Sequence, residues 1–164
     1  MATGFYCSLA TSGRRWTLVG LLAMVTCCTS CIPPVRVLRH SDEAAALEAQ
    51  KFADAAFVDR DVNKAHSLLS LATQQAYPLE KFQAELAKMH SSGYPSSVQT
   101  TEYQPIPGQP AMSIFLIGEN DSGKFFYRLV MEGTQDSGYR VSGFFRGNGP
   151  YPASNLRRPL KIGS

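Results

Sequence analysis

Apolar residues recur at helical spacing in three segments of the first half of the chain, which predicts three helices. Ser41, Asp61 and Pro78 stand at the predicted starts, where hydroxyl, carboxylate and proline side chains suit the first helical turn. The apolar positions are Ala45, Ala49, Phe52, Ala53 and Ala56 in the first helix, Ala65, Leu68 and Leu69 in the second, and Leu79, Phe82, Leu86 and Met89 in the third. Each helix should therefore bury one face.

The second half of the chain changes to short apolar runs separated by turn sequences. This pattern predicts strands at 98–103, 112–118, 124–132 and 139–146. Asn120-Asp-Ser-Gly123 and Gly133-Thr-Gln-Asp-Ser-Gly138 are typical of hairpin connections between the last three strands. Three helices followed by an antiparallel sheet of about four strands predict an α+β fold.

The register of the sheet is predicted by matching its apolar faces, because a slip of one residue would turn a strand inside out. The predicted partners are Met112 with Met131, Ile114 with Leu129, Leu116 with Tyr127, Met131 with Val141 and Tyr127 with Phe145. This face should pack on the helices. The opposite face then carries Phe115, Ile117, Phe126, Val130 and Phe144.

The opposite face is too apolar for a sheet left in water, and a patch of this kind usually marks an interface. Two coverings are consistent with the sequence. One is a partner protein or a second copy of this chain. The other is the chain's own C-terminal segment, residues 151–162, folded over the sheet. The sequence leaves both open.

All four cysteines lie at the start of the chain, around a short apolar run at 16–25. They are Cys7, Cys27, Cys28 and Cys31. Arg14 and Arg15 precede the apolar run, and this order is the layout of a secretory signal segment. The run is too short to cross a hydrocarbon core, which needs roughly 20 apolar residues. The pattern therefore favours export followed by cleavage.

Cys28-Thr-Ser-Cys31 resembles the end of a bacterial lipobox, in which small residues precede a cysteine that receives lipid chains such as palmitate. Cys31 is the predicted lipidation site, and Cys27 is the alternative because Met24 and Val25 give it a better apolar lead. A plain signal peptide or an uncleaved anchor would also fit. The predicted organisation is an export segment at 1–31, a tether at 32–41, an α+β domain at 42–147 and a C-terminal tail at 148–164.

Charge and cysteine content narrow the function of the exported part. With Arg14 and Arg15 set aside, the remaining basic residues nearly balance the 13 acidic residues, which argues against nucleic-acid binding. His40, His66 and His90 have no metal-ligand spacing, and no cysteine follows Cys31. The sequence therefore predicts no metal site and no cofactor.

The second half also carries a family resemblance. Ile106-Pro-Gly-Gln-Pro110, the strand that ends in Glu132, and Gly138-Tyr-Arg-Val-Ser-Gly-Phe-Phe-Arg146 resemble an uncharacterised bacterial envelope family of unknown function, of the DUF4019 type. Tyr139 stands where that family tends to have tryptophan, and Phe144 where it has tyrosine. The resemblance covers roughly residues 43 to 147. It implies a nuclear-transport-factor-2-like cone in a periplasmic or membrane-anchored protein with no assigned reaction.

The predicted interior of the cone contains few side chains that could take part in catalysis. An enzyme on this fold would place a carboxylate, or a pair of polar groups, inside the cone for proton transfer. Only Tyr127 and Tyr139 are polar among the residues predicted to face the interior, so no catalytic residue is predicted. A small-ligand pocket remains an alternative to a filled core. Its predicted lining is Phe52, Phe57, Phe82, Leu86, Tyr127 and Met131.

Together these patterns predict a non-enzymatic, membrane-anchored protein of the bacterial envelope that acts as a protein-interaction module. The predicted partners are the membrane, through the N-terminal lipid or apolar segment, and a second copy or another envelope protein. Ile32 after Cys31 favours the outer membrane, because an aspartate there is associated with inner-membrane retention. The alternative is a small-ligand binding protein, or a diverged isomerase or dehydratase-like enzyme, that uses the cone.

Overall fold

The computed structural model describes residues 39–160, and its first half is helical. The helices are α1 (Asp42–Ala53), α2 (Val62–Ser67), α3 (Leu71–Ala76) and α4 (Leu79–Met89). A π-helical turn, Asp54–Val58, continues α1. The predicted starts at Ser41 and Asp61 are confirmed, because the Ser41 side chain accepts a hydrogen bond from the Ala44 amide and Asp61 accepts one from the Lys64 amide. The short helix α3 is an addition to the three predicted helices.

The second half forms an antiparallel sheet, so the described residues have an α+β fold with helices first. The strands are β1 (Ser97–Pro105), β2 (Ala111–Asn120), β3 (Gly123–Thr134), β4 (Gly138–Gly147) and β5 (Arg158–Pro159), in the order β4-β3-β2-β1-β5. The four predicted strands are confirmed. The fifth is a two-residue strand from the C-terminal segment, and it pairs with β1.

The predicted register is confirmed for the β2–β3 pair, where Met112 faces Met131 and Leu116 faces Tyr127. It is also confirmed where Met131 faces Val141. Beyond this point the prediction that Tyr127 faces Phe145 is wrong. A bulge places an extra residue, Ser142, in β4 between the pairs Val130–Gly143 and Met131–Val141.

The bulge moves the rest of β4 by one position, so Tyr127 faces Arg146 and Leu129 faces Phe144. Phe144 therefore lies on the helix-covered face, 8% exposed, and its predicted place on the opposite face is wrong. Phe145 takes the outward position that was predicted for Phe144, and it is 44% exposed. A single extra residue thus exchanges the roles of two neighbouring phenylalanines.

The hydrophobic core lies between the helices and the inner face of the sheet. Its fully buried sheet residues are Met112, Ile114, Leu116, Tyr127, Leu129, Met131 and Val141. Gln50 of α1 also binds the sheet, since its side-chain amide donates to the Val98 carbonyl at 2.8 Å and accepts from the Thr100 amide at 3.0 Å. This contact satisfies backbone groups next to the bulge at 100–102 of β1.

Candidate functional site

The residues predicted to line a ligand pocket come together, and each is at most 2% exposed. They are Phe52, Phe57, Phe82, Leu86, Tyr127 and Met131. Their rings touch: Phe52 lies 6.3 Å from Phe82 between ring centroids, and Phe57 stacks on Tyr127 at 4.5 Å. Aromatic rings at these separations fill the space between helices and sheet. The arrangement is that of a packed core, in which Tyr127 supplies a polar group.

Tyr127 forms a buried hydrogen-bonded pair with His90, at the C-terminal end of α4. The His90 Nε2 atom lies 3.0 Å from the Tyr127 hydroxyl oxygen, and Nδ1 lies 2.9 Å from the Leu86 carbonyl oxygen. Because a carbonyl can only accept, Nδ1 carries the proton of neutral His90. The Tyr127 hydroxyl therefore donates to Nε2.

The surroundings keep both members of this pair uncharged at neutral pH. Burial lowers the pKa of His90, the hydrogen bond to Leu86 opposes this effect, and the positive charges of Arg146 and Arg60 add to the lowering. Burial also raises the pKa of the Tyr127 hydroxyl. His90 is 4% exposed and Tyr127 is fully buried. The pair satisfies two buried polar groups and has little access to solvent.

The place of His90 in the core was not predicted from the sequence. The overlooked signal is its spacing, because His90 follows Leu86 by four residues and so continues the apolar stripe of α4. His66 is half-buried, and its Nε2 atom lies 2.8 Å from the Tyr77 carbonyl oxygen. Among the described residues no group of three or more histidine, cysteine, aspartate or glutamate side chains could hold a metal ion.

Tyr127→Phe tests whether the pair is structural. The substitution leaves the buried Nε2 atom of His90 without its donor, so the free energy of unfolding should fall by about 1–3 kcal/mol. The matched control is Tyr103→Phe, at a partly buried tyrosine that packs on the same core, with an expected change below about 1 kcal/mol. Urea denaturation followed by circular dichroism measures both. Equal losses for the two variants would contradict a specific role for the Tyr127 hydroxyl.

The predicted interface residues divide into a covered and an open group. Phe115 is 6% exposed, since Tyr151 packs against its ring at 5.4 Å and the Arg157 guanidinium lies 4.0 Å above it. Arg157 also lies 3.3 Å from the Glu102 carboxylate on β1. The C-terminal segment therefore covers the part of the outer face around Phe115. This is one of the two coverings that the sequence left open.

The rest of the outer face, formed by the end of β2 together with β3 and β4, stays open. We call Ile117, Phe126, Val130 and Phe145 the open face; the first three are half-buried, and Phe145 is exposed. Gly143 shapes this surface, because a Cβ atom there would lie 3.0 Å from the Phe145 ring. The Arg128 guanidinium lies over the Phe145 ring, 4.7 Å from the ring centroid.

A groove of about 570 Å³ lies where the end of α4 approaches the end of β4 and the start of β3. Lys88, Lys124 and Arg146 line it, with Glu85 as the acidic residue. Arg146 is held in place by hydrogen bonds to the Met89 carbonyl at 2.7 Å and the Ser92 hydroxyl at 2.8 Å. The groove was not predicted, because it depends on the position of α4 beside the sheet.

The predicted membrane attachment concerns a different part of the chain. Cys27 and Cys31 lie outside the described residues. Within residues 39–160 no helix is both long and apolar enough to span a membrane.

Comparison of the chain with protein-family models, with curated proteins and with solved structures returns no match.

Proposed function

We propose that this protein is a non-enzymatic module of the bacterial envelope that pairs with a second copy through the open face. The observation that carries this proposal is the outward position of Phe145, 44% exposed beside three half-buried apolar residues on the same face of the sheet. A contiguous apolar patch of this kind is costly in water and is typical of protein interfaces. The C-terminal segment covers the neighbouring half of the same face and leaves this half accessible.

The rim of the open face is compatible with two-fold pairing. Glu132 and Arg140 are exposed cross-strand partners at one end of the face, and Arg128 lies near its centre. In a two-fold interface the same patch meets itself in reverse. Glu132 of one copy can then approach Arg128 or Arg140 of the other, so that opposite charges surround an apolar centre.

We also propose a cone-shaped arrangement for the folded domain. Helices that pack on one face of an antiparallel sheet fit a nuclear-transport-factor-2-like cone, the fold implied by the resemblance of residues 43–147. The interior of such a cone is the usual place for a ligand. Here the corresponding side chains are fully buried and in ring contact, which favours an interaction surface over a cone ligand. A small-ligand or isomerase-like role therefore takes second place.

We also propose that the protein is held at the envelope membrane, facing the periplasm, by lipid on Cys31. This attachment rests on the N-terminal sequence, in which small residues precede Cys31 after a basic and apolar lead. The tether at 32–41 would leave the folded domain near the membrane, since ten residues span at most roughly 33 Å. Pairing between neighbouring anchored copies would then be favoured by their high local concentration.

Phe145→Arg tests the open face. Placing a charge at the centre of an apolar interface should raise the dissociation constant of the dimer by at least about tenfold. Because Phe145 is exposed, the fold should be retained, and circular dichroism checks this. The measurement is sedimentation velocity of the full-length protein in a mild detergent over a range of concentrations.

Leu71→Arg is the matched control, because Leu71 is also an exposed apolar residue, 71% exposed on α3 and outside the open face. This variant should associate as the unsubstituted protein does. The proposal fails if Phe145→Arg leaves the dissociation constant unchanged, or if Leu71→Arg raises it by as much.

A further inference from the structure

The outer edge of β4 is covered along only half of its length. The Ser70 amide donates to the Val141 carbonyl at 2.8 Å, and the Val141 amide donates to the Leu68 carbonyl at 3.1 Å. These bonds attach the segment before α3 to the first half of β4 in parallel orientation. Along the second half of β4, residues 143–147, no further strand lies beside this edge among the described residues. This half therefore offers an edge to which a further strand can bind.

The groove beside α4 lies at the C-terminal end of this free edge, where the start of β3 also borders it. Phe144 and Arg146 border it from the inner face of the sheet, and Phe145 borders it from the outer face. Side chains of both faces therefore line one groove beside the end of β4. An extended chain bound there would direct alternate side chains towards α4 and towards the open face.

The charged side chains that line the groove favour an acidic ligand. Lys88, Lys124 and Arg146 face one carboxylate, Glu85. Lys124 also has a partner outside the groove, since its ammonium lies 3.1 Å from the Glu119 carboxylate. A second copy of this chain at the same edge would bring like charges together, which disfavours it as the occupant.

We propose that residues 143–147 of β4 bind an extended acidic segment of a partner protein by strand addition. Main-chain hydrogen bonds to the free edge provide affinity, and carboxylates at alternate positions meet Lys88 and Arg146. The Arg146 guanidinium is already oriented by Met89 and Ser92, so little side-chain ordering is required when the segment binds. This site adjoins the open face, because Phe126 and Phe145 border both, but its charged residues Lys88 and Arg146 lie outside the open face.

The test uses the full-length protein in a mild detergent and a fluorescein-labelled peptide of alternating Glu and Val. Fluorescence anisotropy should show saturable binding of this peptide, whereas a peptide of alternating Lys and Val should not bind. Lys88→Glu replaces an attraction by a repulsion and should weaken binding by about fivefold or more. Because Lys88 lies outside the open face, the oligomeric state should not change in this variant.

An otherwise identical Glu and Val peptide, N-methylated at alternate amides, separates strand addition from charge attraction. It keeps every carboxylate but loses the donors of one edge, so it should lose most of its binding. Equal binding of the methylated peptide would overturn the proposal. Displacement of the acidic peptide by vesicles rich in phosphatidylglycerol would also overturn it, since the groove would then be a lipid site.

Discussion

Replacing Phe52 with alanine is expected to lower the free energy of unfolding by about 3–5 kcal/mol, the usual cost of removing a buried phenylalanine side chain. Phe52 is fully buried at the centre of the aromatic cluster. Its ring lies 5.8 Å from Phe57, 6.3 Å from Phe82 and 6.1 Å from Phe144, between ring centroids. The side chain therefore connects α1 with α4 and β4. Urea denaturation followed by circular dichroism measures the loss.

Phe145→Ala is the matched control, because it removes the same kind of side chain from an exposed position. The expected loss is below about 1 kcal/mol. A small loss for Phe52→Ala would contradict a packed interior and would favour the alternative of a ligand cavity. A large loss for Phe145→Ala would mean that this residue belongs to the core rather than to the open face.

Cys31→Ser is expected to release the protein from membranes. Each buried methylene of an acyl chain contributes about 0.8 kcal/mol to membrane binding, so the loss of whole chains removes far more than any single side-chain contact. After separation of cell membranes from soluble material, the variant should move to the soluble fraction. Intact-mass measurement should show the loss of the lipid mass at the same time.

Cys27→Ser is the control for this experiment, since Cys27 is the alternative lipidation site and lies four residues earlier. It should remain with the membranes and retain the lipid mass. Membrane retention of Cys31→Ser would contradict lipidation at Cys31. Release of Cys27→Ser together with retention of Cys31→Ser would assign the lipid to Cys27.

The architecture follows from the sequence where periodicity and local chemistry agree. Ser41 and Asp61 were predicted as helix caps from their hydroxyl and carboxylate groups, and both accept the expected amide hydrogen bonds. The pairing of β2 with β3 was predicted from apolar faces alone, because this register places Met112, Ile114 and Leu116 opposite apolar residues of the buried face of β3. In these elements the local pattern and the tertiary packing require the same arrangement.

The predicted register was wrong in the second half of β4 because the bulge was overlooked. Gly143 was the available signal, since an isolated glycine inside a strand often marks a bulge. Strict alternation instead assigned Phe144 and Phe145 to the wrong faces. The helix α3 was missed for a different reason. Thr73 is its only buried residue, so no apolar stripe marks it in the sequence.

The candidate surfaces were predictable only in part. The apolar outer face was evident from Phe115, Ile117 and Phe126, but which half the C-terminal segment covers depends on the tertiary contacts of Arg157 and Tyr151. Local sequence does not encode such long-range contacts. The groove beside β4 has the same origin, since α4 and β4 are distant in the sequence and meet only in the folded domain.

Native mass spectrometry of the full-length protein purified from cells tests the central proposal most directly, because it reports both the oligomeric state and any bound molecule. A dimer whose mass is twice that of the lipidated chain is the predicted result, and it would support pairing through the open face. A monomer that carries a co-purified small molecule would contradict the proposal, and it would point to a ligand site in the interior beside Tyr127.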